Sequence, residues 1–291
     1  MQPTRTARSS DGVVVAVHDL GGAGRPVLLA HATGFHGRVW APLARRLSDR
    51  AACWSLDFRG HGDTPPPPAL DFRWEGFADD VLAVVDEVGL AGAVGVGHSK
   101  GGAALVMAEA RRPGTFAGLW LFEPIVFPPA RYDPADDGGE HPLAEGALRR
   151  RPSFPSFEEA LANFRGKEAM AAFDDEALAA YVEHGFAPGD DGEVHLKCRG
   201  EWEAQVYRMG GRHGGWDALP AVRCPAVVAA SGDGGPPALV APAVADRLPA
   251  GRLERFDGLG HFGPLEDPAL VADRVRAFLD EVDRPLSSEA I

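Results

Sequence analysis

The stretch around Ser99 combines residue types and spacing that suit nucleophilic catalysis. Gly97, Ser99 and Gly101 form a G-x-S-x-G pattern, which follows the apolar run Ala93–Val96 and precedes the small-residue run Gly101–Glu109. A strand, a serine and a helix in this order predict a sharp turn that exposes the serine hydroxyl. Glycines on either side remove side chains that would collide in such a turn. We therefore expect Ser99 to be a nucleophile rather than part of a chance glycine turn.

Strand-like and helix-like segments alternate on both sides of this turn. Besides the run before Ser99, short apolar or β-branched runs predict strands over Val13–Val17, Val27–Leu29, Ala51–Phe58, Gly118–Phe122, Ala226–Ala230 and Arg252–Phe256. Apolar residues at helical spacing predict helices over Arg38–Leu47, Phe77–Val88 and Pro242–Leu248 and around Val271–Phe278. This alternation predicts an α/β fold with a mostly parallel, doubly wound sheet.

The alternation stops between residues 129 and 216. Loops rich in acidic residues, glycine and proline separate three helix-like stretches there: one that starts after Ser156, Asp175–Glu183 and Glu201–Tyr207. The segment is too long for a loop and too polar for a core of its own. We expect a helical cap at residues 129–216, inserted into a core of residues 1–128 and 217–291. It would cover the carboxyl edge of the sheet, where open α/β sheets bind ligands.

Composition narrows the class of protein and the partners. The 291 residues are 45% hydrophobic and 24% charged, which is typical of a soluble globular protein. The net charge of −13 argues against nucleic acid and anionic membranes as partners. Cys53, Cys198 and Cys224 are scattered, which predicts neither a disulfide framework nor a metal site. We expect a cytoplasmic protein that acts on a small molecule without a cofactor or metal; the oligomeric state stays open.

Four motifs in their order along the chain resemble the α/β-hydrolase superfamily, in the form of a capped, serine esterase-like member. They are His31–Phe35, Asp57–Asp63, Gly97–Gly102 and Gly258–Pro264. The resemblance covers most of the chain, although the cap matches by position more than by sequence. It implies an α/β-hydrolase fold and hydrolase activity. The motif Asp57–Asp63 is usually structural in such folds, so no chemistry is assigned to it.

The resemblance implies that His261 is the general base. In the family, a histidine after the last strand activates the serine, because serine is a poor nucleophile without a base within hydrogen-bond reach. His261 follows the strand predicted over Arg252–Phe256 and lies in a glycine-rich turn. His98 precedes the serine, and there the resemblance implies a packing role.

Two backbone N–H groups are needed to stabilise the negatively charged oxygen of an acyl-transfer intermediate. One is expected from Lys100, the residue after the nucleophile, where the dipole of the following helix also favours negative charge. By analogy with the family, the other comes from Thr33, with Gly34 as the neighbouring possibility. The alternative for His31–Phe35 is an ordinary glycine turn that has no role in catalysis.

The acidic member of the triad departs from the common family pattern. Most relatives carry an aspartate in a Gly-x-x-Asp register after the strand that resumes the sheet, and here that register falls on Gly235. Asp233 fits only with a deletion. Glu123 ends an earlier strand in an otherwise apolar run, where a buried carboxylate is costly unless it is paired. Because His261 is the obvious partner, we favour Glu123 and keep Asp233 as the alternative acid.

The substrate pocket is expected to be largely apolar. Candidates for its lining are Phe35, Trp40, Val126, Phe127 and Trp216, although any of them can equally be ordinary core. The Lys100 side chain has two possible positions. It reaches solvent on its aliphatic stem, which we favour, or it points into the pocket and binds an anionic group of the substrate.

These residues predict a serine hydrolase that cleaves a small carboxylic ester, thioester or lactone through an acyl-serine. A C–C bond hydrolase or a cofactor-free perhydrolase on the same triad is the alternative within enzymes. A rival of another class is a non-catalytic protein that holds a ligand under the cap, and the missing acid at the common register is its only support.

Overall fold

The computed structural model describes residues 3–129 and 141–284. Eleven strands lie within these ranges. They are β1 (Arg5–Arg8), β2 (Val14–Gly21), β3 (Arg25–Ala30), β4 (Ala51–Asp57), β5 (Ala93–His98), β6 (Phe116–Phe122), β7 (Ser153–Phe154), β8 (Phe186–Pro188), β9 (Val194–Leu196), β10 (Ala226–Ser231) and β11 (Gly251–Phe256).

Eight of the strands form one sheet in the order β1-β2-β4-β3-β5-β6-β10-β11. The pairings from β4 to β11 are parallel, and β1 and β2 add an antiparallel edge. The chain passes from β3 outward to β4 and then returns to β5 on the other side of β3. The carboxyl ends of β3 and β5 therefore flank the point where the winding reverses, which is where ligands bind in open α/β sheets.

Helices cover both faces of this sheet. The α-helices are α1 (Ala41–Arg46), α2 (Trp74–Val88), α3 (Lys100–Arg111), α4 (Pro142–Leu148), α5 (Phe157–Arg165), α6 (Asp175–Gly185), α7 (Gly200–Met209), α8 (Gly215–Ala218), α9 (Pro236–Arg247), α10 (Gly263–Glu266) and α11 (Pro268–Val282). Buried side chains of α2, α3 and α9 pack in one apolar cluster, and those of α1 and α11 pack in another. Successive residues of β10 alternate between the two clusters, because side chains of a strand point to opposite faces.

The chain between β6 and β10 contains α4 to α7 and a separate three-stranded antiparallel sheet in the order β7-β9-β8. We call this part of the chain the inserted segment. Aromatic side chains of this segment, including Phe154, Phe164 and Tyr181, are buried in the same cluster as α1 and α11. Helices α4 and α7 pack through Ala144, Ala147 and Ala204, whose small side chains allow a close approach. The inserted segment therefore shares its core with the sheet domain.

The structure confirms the predicted α/β fold with a mostly parallel, doubly wound sheet. Ser156 accepts a hydrogen bond from the Glu159 N–H and so begins α5, as its capping pattern predicts. The small sheet of the insertion and the edge strand β1 were not predicted, since two- to four-residue strands carry little periodicity. No helix in the described ranges is long and apolar enough to span a bilayer.

Candidate active site

Ser99 lies at the turn between β5 and α3, in a backbone conformation that is unfavourable for a side-chain-bearing residue. Its φ is +55° and its ψ is −119°. Hydrogen bonds hold this conformation on both sides, because the Ser99 N–H donates to the Phe122 carbonyl and the Ser99 carbonyl accepts from Ala103 and Ile125. Strain that is held in place in this way is typical of functional sites.

The glycines beside Ser99 are required by close contacts across the turn. A Cβ atom on Gly97 would lie 2.7 Å from the Cα of Gly102, and one on Gly101 would lie 2.2 Å from the carbonyl oxygen of Ala30. Both distances are far below van der Waals contact. The G-x-S-x-G pattern therefore has a steric cause in this fold.

His261 and Glu123 face each other at the carboxyl edge of the sheet, where they follow β11 and β6, two strands that β10 separates. The Nδ1 atom of His261 lies 2.5 Å from Oε2 of Glu123. Glu123 has no exposed surface, whereas 28% of the His261 side chain is exposed. Because Nδ1 donates its proton to this carboxylate, Nε2 of His261 is the ring atom that can accept a proton. A buried carboxylate in this position fixes the ring orientation and balances a positive charge on the ring.

Glu123 is held by both its backbone and its second carboxylate oxygen. Its φ is +45°, and its N–H donates to the Ala229 carbonyl at 2.8 Å. Its Oε1 accepts from the N–H of Ser231 at 2.8 Å and lies 2.5 Å from the Ser231 hydroxyl. All of these partners of Glu123 lie on β10, the strand next to β6. The carboxylate is thus oriented before any substrate arrives.

Asp233 also contacts His261, but through the backbone. Its Oδ2 accepts from the His261 N–H at 3.0 Å, and its Oδ1 accepts from the Gly235 N–H at 2.9 Å. Burial alone would raise the pKa of Asp233, yet the hydrogen bonds from Gly235, Ser231 and His261 lower it. Of the two candidate acids, the geometry therefore favours Glu123 as the partner of the imidazole. Asp233 binds the backbone of the loop that carries His261.

His98 supports the loop that carries His261. Its Nε2 lies 2.8 Å from the His261 carbonyl, and the two rings are 5.0 Å apart. Burial, followed by the charge of His261, holds the pKa of His98 well below its usual range. A neutral His98 donates to the carbonyl, which agrees with the expected packing role.

The turn after β3 presents the Thr33 N–H near Ser99. Nδ1 of His31 donates to the Ala32 carbonyl at 2.7 Å, since its Nε2 accepts from the Phe58 N–H. A trans peptide directs its carbonyl and N–H in opposite directions, so this bond turns the Thr33 N–H away from His31. Within residues 3–129 and 141–284, neither the Thr33 N–H nor the Lys100 N–H donates to a protein acceptor. Both are available for a ligand.

The Lys100 side chain reaches neither solvent nor the cavity, which corrects the expectation that it extends to solvent. It has no exposed surface, and its Nζ lies 4.5 Å from the ring centres of both Phe58 and Phe77. Nζ also lies 3.3 Å from Nε2 of His61. The first turn of α3 faces the protein interior at this point, so the stem has no path to the surface.

A cavity of about 420 Å³ opens over Ser99 and has both Glu123 and His261 in its lining. Ala32 and Thr33 contribute the backbone of the turn after β3. The apolar side chains around it are Trp74, Ile125, Phe127, Leu143, Pro236, Pro237 and Phe262. Among the described residues that line it, none is a lysine, an arginine or an aspartate. The cavity therefore suits a small, neutral and mostly apolar molecule.

A family model described as the α/β hydrolase family matches residues 27–274, which is most of the chain. The chain belongs to the α/β hydrolase family. The matched residues run from β3 into α11 and so include the turn at Ser99 and the loop of His261.

Individual relatives of this α/β hydrolase match over shorter stretches. Lipase LipV of Mycobacterium tuberculosis is 36% identical over 102 residues, which are 34% of this chain and 37% of the lipase. The Karrikin insensitive 2 receptor CA of Petunia hybrida is 34% identical over 115 residues, 37% of this chain and 42% of the receptor. The chain thus spans about two fifths of the length of these curated relatives.

A solved structure agrees over nearly the whole α/β hydrolase chain. A thermophilic esterase from Thermogutta terrifontis superposes with a TM-score of 0.74 at 24% identity, covering 96% of this chain and 99% of the esterase. At this level of identity the likeness concerns the fold.

The five residues expected to line the pocket lie at different places in the structure. Phe127 lines the cavity. Trp40 and Val126 are corrections, because both are buried in the core: Trp40 lies in the cluster of α1 and α11, and Val126 lies in the cluster on the opposite face. Large apolar residues near a motif are more often core than pocket, and the sequence does not reveal which side of the sheet they occupy.

Phe35 and Trp216 are also corrections to the expected lining of the α/β hydrolase pocket. The ring of Phe35 lies 5.5 Å from that of Phe262, and of these two only Phe262 lines the described cavity. The ring of Trp216 packs against the guanidinium of Arg247 at 5.1 Å. Phe35 is thus one layer behind the cavity, and Trp216 lies outside it.

Two polar side chains at the cavity, His141 and Tyr207, were not predicted from the sequence. They stack with ring centres 6.0 Å apart, and both come from the inserted segment. His141 begins α4, where its Nδ1 accepts from the Ala144 N–H at 3.4 Å. Trp74 was missed because nothing in its sequence context marks it. Phe262 directly follows His261, and that neighbourhood was a usable signal.

A group of possible metal ligands lies away from the cavity at His18, Asp57 and Asp63. Asp57 accepts from His18 at 2.9 Å and from the backbone N–H of Gly37 and Asp63. Asp63 in turn pairs with Lys197 at 2.6 Å. These contacts engage the carboxylates with protein donors and join the turn after β4 to neighbouring segments, which is a structural role.

Proposed function

We propose that this protein is a serine hydrolase that cleaves a small carboxylic ester, thioester or lactone through an acyl intermediate on Ser99. The observation that carries the proposal is the 2.5 Å contact between His261 Nδ1 and the buried Glu123 carboxylate, at a cavity that Ser99 also lines. A base oriented by a carboxylate is what an unactivated serine requires.

In the proposed reaction, the Ser99 hydroxyl attacks the substrate carbonyl and Nε2 of His261 takes its proton. Glu123 balances the positive charge that forms on the imidazole ring. The new oxyanion accepts hydrogen bonds from the N–H groups of Thr33 and Lys100, and the dipole of α3 favours the negative charge there. His261 then gives the proton to the leaving alcohol or thiol. This product departs when the substrate is an ester or thioester, whereas the alcohol of a lactone stays attached to the acyl group.

Water completes the cycle in the second half of the reaction. His261 takes a proton from a water molecule, and the resulting hydroxide attacks the acyl carbon on Ser99. The tetrahedral intermediate collapses to the carboxylic acid as the bond between the acyl carbon and the Ser99 oxygen breaks, and His261 returns its proton to that oxygen. The same two N–H groups stabilise the oxyanion in both halves.

The lining of the cavity supports a neutral, mostly apolar substrate. No described lining residue is a cation that would pair with a carboxylate on the substrate. His141 and Tyr207 are the polar side chains of the inserted segment at the cavity, and each offers a hydrogen-bonding group to a neutral oxygen. We expect esters of short to medium apolar acids to react fastest.

The rival hypothesis of a non-catalytic ligand-binding protein rested on the missing acid at the common register. Glu123 removes that reason, because a carboxylate does face His261. One relative is nevertheless named as a receptor. The test of the proposal must therefore distinguish turnover from binding.

Hydrolysis of p-nitrophenyl esters by the wild-type protein, Ser99→Ala and Ser48→Ala makes this distinction. We expect the wild-type protein and Ser48→Ala, an exposed serine in the turn after α1, to release acid and nitrophenol in equal amounts. Ser99→Ala is expected to lose about 10³-fold or more in kcat. Saturable binding of the esters without turnover by the wild-type protein would instead identify a binding protein.

A further inference from the structure

Lys100 carries a buried positive charge that the proposed reaction scheme does not use. Its side chain is fully buried at the start of α3, against the faces of Phe58 and Phe77. Aromatic faces attract a cation. In the described ranges, no carboxylate lies within ion-pair distance of its Nζ, which is unusual for a buried lysine.

The hydrogen bond from Lys100 to His61 has a fixed direction. Nδ1 of His61 donates to the Arg59 carbonyl at 3.0 Å, so its Nε2 is the acceptor for Nζ of Lys100 at 3.3 Å. The ring of His61 lies 5.2 Å from that of His31. Burial, followed by the charge of Lys100, holds the pKa of both histidines well below the usual range. Both rings are therefore neutral.

Nearby carboxylates do not cancel the charge of Lys100. The charged and titratable groups that face it are His31 after β3, Asp57 at the end of β4, His61 in the turn that follows, Asp80 on α2, and Cys198 and Glu203 from the inserted segment. Asp80 is already bound by the guanidinium of Arg59 at 2.7 Å. Glu203 is paired with Arg150, and Asp57 is bound by His18.

This charge is connected to both N–H groups of the proposed oxyanion site. One of them is the backbone N–H of Lys100 itself, and the length of a lysine side chain keeps its ammonium within about 7 Å of that nitrogen. The other, on Thr33, is oriented through the bond from His31 to the Ala32 carbonyl. The Nε2 atom of His31 accepts from the Phe58 N–H at 3.1 Å, which requires a neutral His31 ring with its proton on Nδ1.

We propose that the Lys100 side chain is a positioning residue for catalysis, whose buried charge strengthens the oxyanion site and keeps His31 neutral beside the turn that presents the Thr33 N–H. The proposal rests on the proposed function, because it needs an oxyanion to form at this site. The ammonium acts through space and through His61, and it touches no substrate. It therefore affects the transition state more than the bound ground state, which carries no full negative charge.

The proposal predicts a decline of activity on the alkaline side. Burial lowers the pKa of Lys100 to about 7, although the surrounding acidic groups oppose this shift. The ammonium predominates below that pH, and the neutral amine predominates above it. As the pH rises, the positive charge behind the oxyanion site is lost, so kcat should fall while KM stays nearly constant.

The pH dependence of kcat in the wild-type protein, Lys100→Met and Lys167→Met tests this proposal. Methionine keeps the apolar stem between the two phenylalanine rings and removes the charge. We expect Lys100→Met to lower kcat about 10- to 50-fold near pH 6, as a charge at this distance predicts, with little change in KM. The kcat of Lys100→Met should stay constant between about pH 7 and pH 9, whereas the wild-type kcat should fall over this range.

Phenylboronic acid gives a second readout, because it forms a negatively charged tetrahedral adduct with a reactive serine. Lys100→Met should weaken its inhibition about as much as it lowers kcat, since both depend on the anion. Lys167→Met is the matched control. This lysine also lies over a phenylalanine ring, that of Phe164, but belongs to the exposed surface of the insertion, so wild-type kinetics are expected.

Two results would overturn the proposal about Lys100. One is a Lys100→Met protein that is active with wild-type kcat and boronate affinity. The other needs no variant: a wild-type kcat that stays flat above about pH 7 contradicts the proposal even if the substituted protein fails to fold. A wild-type protein without turnover would instead contradict the proposed function.

Discussion

The carboxyl edge of the sheet and the inserted segment both contribute to the cavity, but they hold their side chains in different ways. At the sheet edge, Ser99 and Glu123 end adjacent strands and have positive φ angles of 55° and 45°. Backbone hydrogen bonds fix both residues. In the inserted segment, Leu143 at the cavity is 59% exposed and lies on the short helix α4.

This difference separates reaction chemistry from substrate choice. A strained, fully bonded backbone defines positions to within a fraction of an ångström, which proton transfer requires. An exposed side chain on a short helix contributes apolar surface without such constraint. We therefore infer that the sheet edge determines whether a bond is cleaved and that the inserted segment determines which acyl groups bind.

The largest expected effect comes from the carboxylate at the sheet edge. Glu123→Gln removes the charge that faces His261 but keeps the shape of the side chain. By analogy with the loss of the aspartate in a serine protease, kcat should fall about 10⁴-fold. Steady-state kinetics with a p-nitrophenyl ester, together with circular dichroism as a check of folding, measure this effect.

Asp233→Asn is the matched comparison for Glu123→Gln. Asp233 accepts from the backbone N–H of His261 and does not contact its imidazole ring, while its other oxygen accepts from Gly235 and Ser231. The asparagine retains one oxygen acceptor. The loss should stay below about tenfold, as expected for one weakened hydrogen bond. If Asp233→Asn is the inactive variant and Glu123→Gln keeps its activity, the assignment of the acid is wrong and the common family triad applies.

A smaller effect is expected from the inserted segment. Leu143→Asp places a charge at the cavity and should raise KM for an octanoyl ester about fivefold, because part of the apolar contact is lost. The kcat for an acetyl ester should not change. Leu148→Asp, on the same helix and 44% exposed but absent from the described cavity lining, is the control. Equal effects of the two substitutions would show that α4 acts only through folding.

The sheet edge was largely predictable from the sequence. Ser99, His261 and Glu123 lie at strand ends that short periodic runs and glycine spacing mark, and parallel strands bring their carboxyl ends to one edge. Glu123 stood out because a carboxylate in an apolar run needs a partner. Its partner His261 came from the resemblance to the α/β-hydrolase superfamily, because no local pattern connects two residues that are 138 positions apart.

The cavity walls and the Lys100 side chain were not predictable in the same way. Tyr207 and His141 meet only because α4 packs on α7, and no pattern in either helix records that contact. Trp40 and Val126 are large or branched apolar residues of the kind that line pockets, but they are buried in the core. The burial of Lys100 depends on Phe58 and Phe77, which lie on separate segments of the chain.

Covalent labelling of Ser99 tests the central claim most directly. The wild-type protein and Ser99→Ala are incubated with a fluorophosphonate, digested and analysed by mass spectrometry. We predict one adduct, on the peptide that contains Ser99, in the wild-type protein and none in Ser99→Ala. Folded wild-type protein without an adduct on that peptide, or with the same labelling in Ser99→Ala, would contradict the claim that Ser99 is an activated nucleophile.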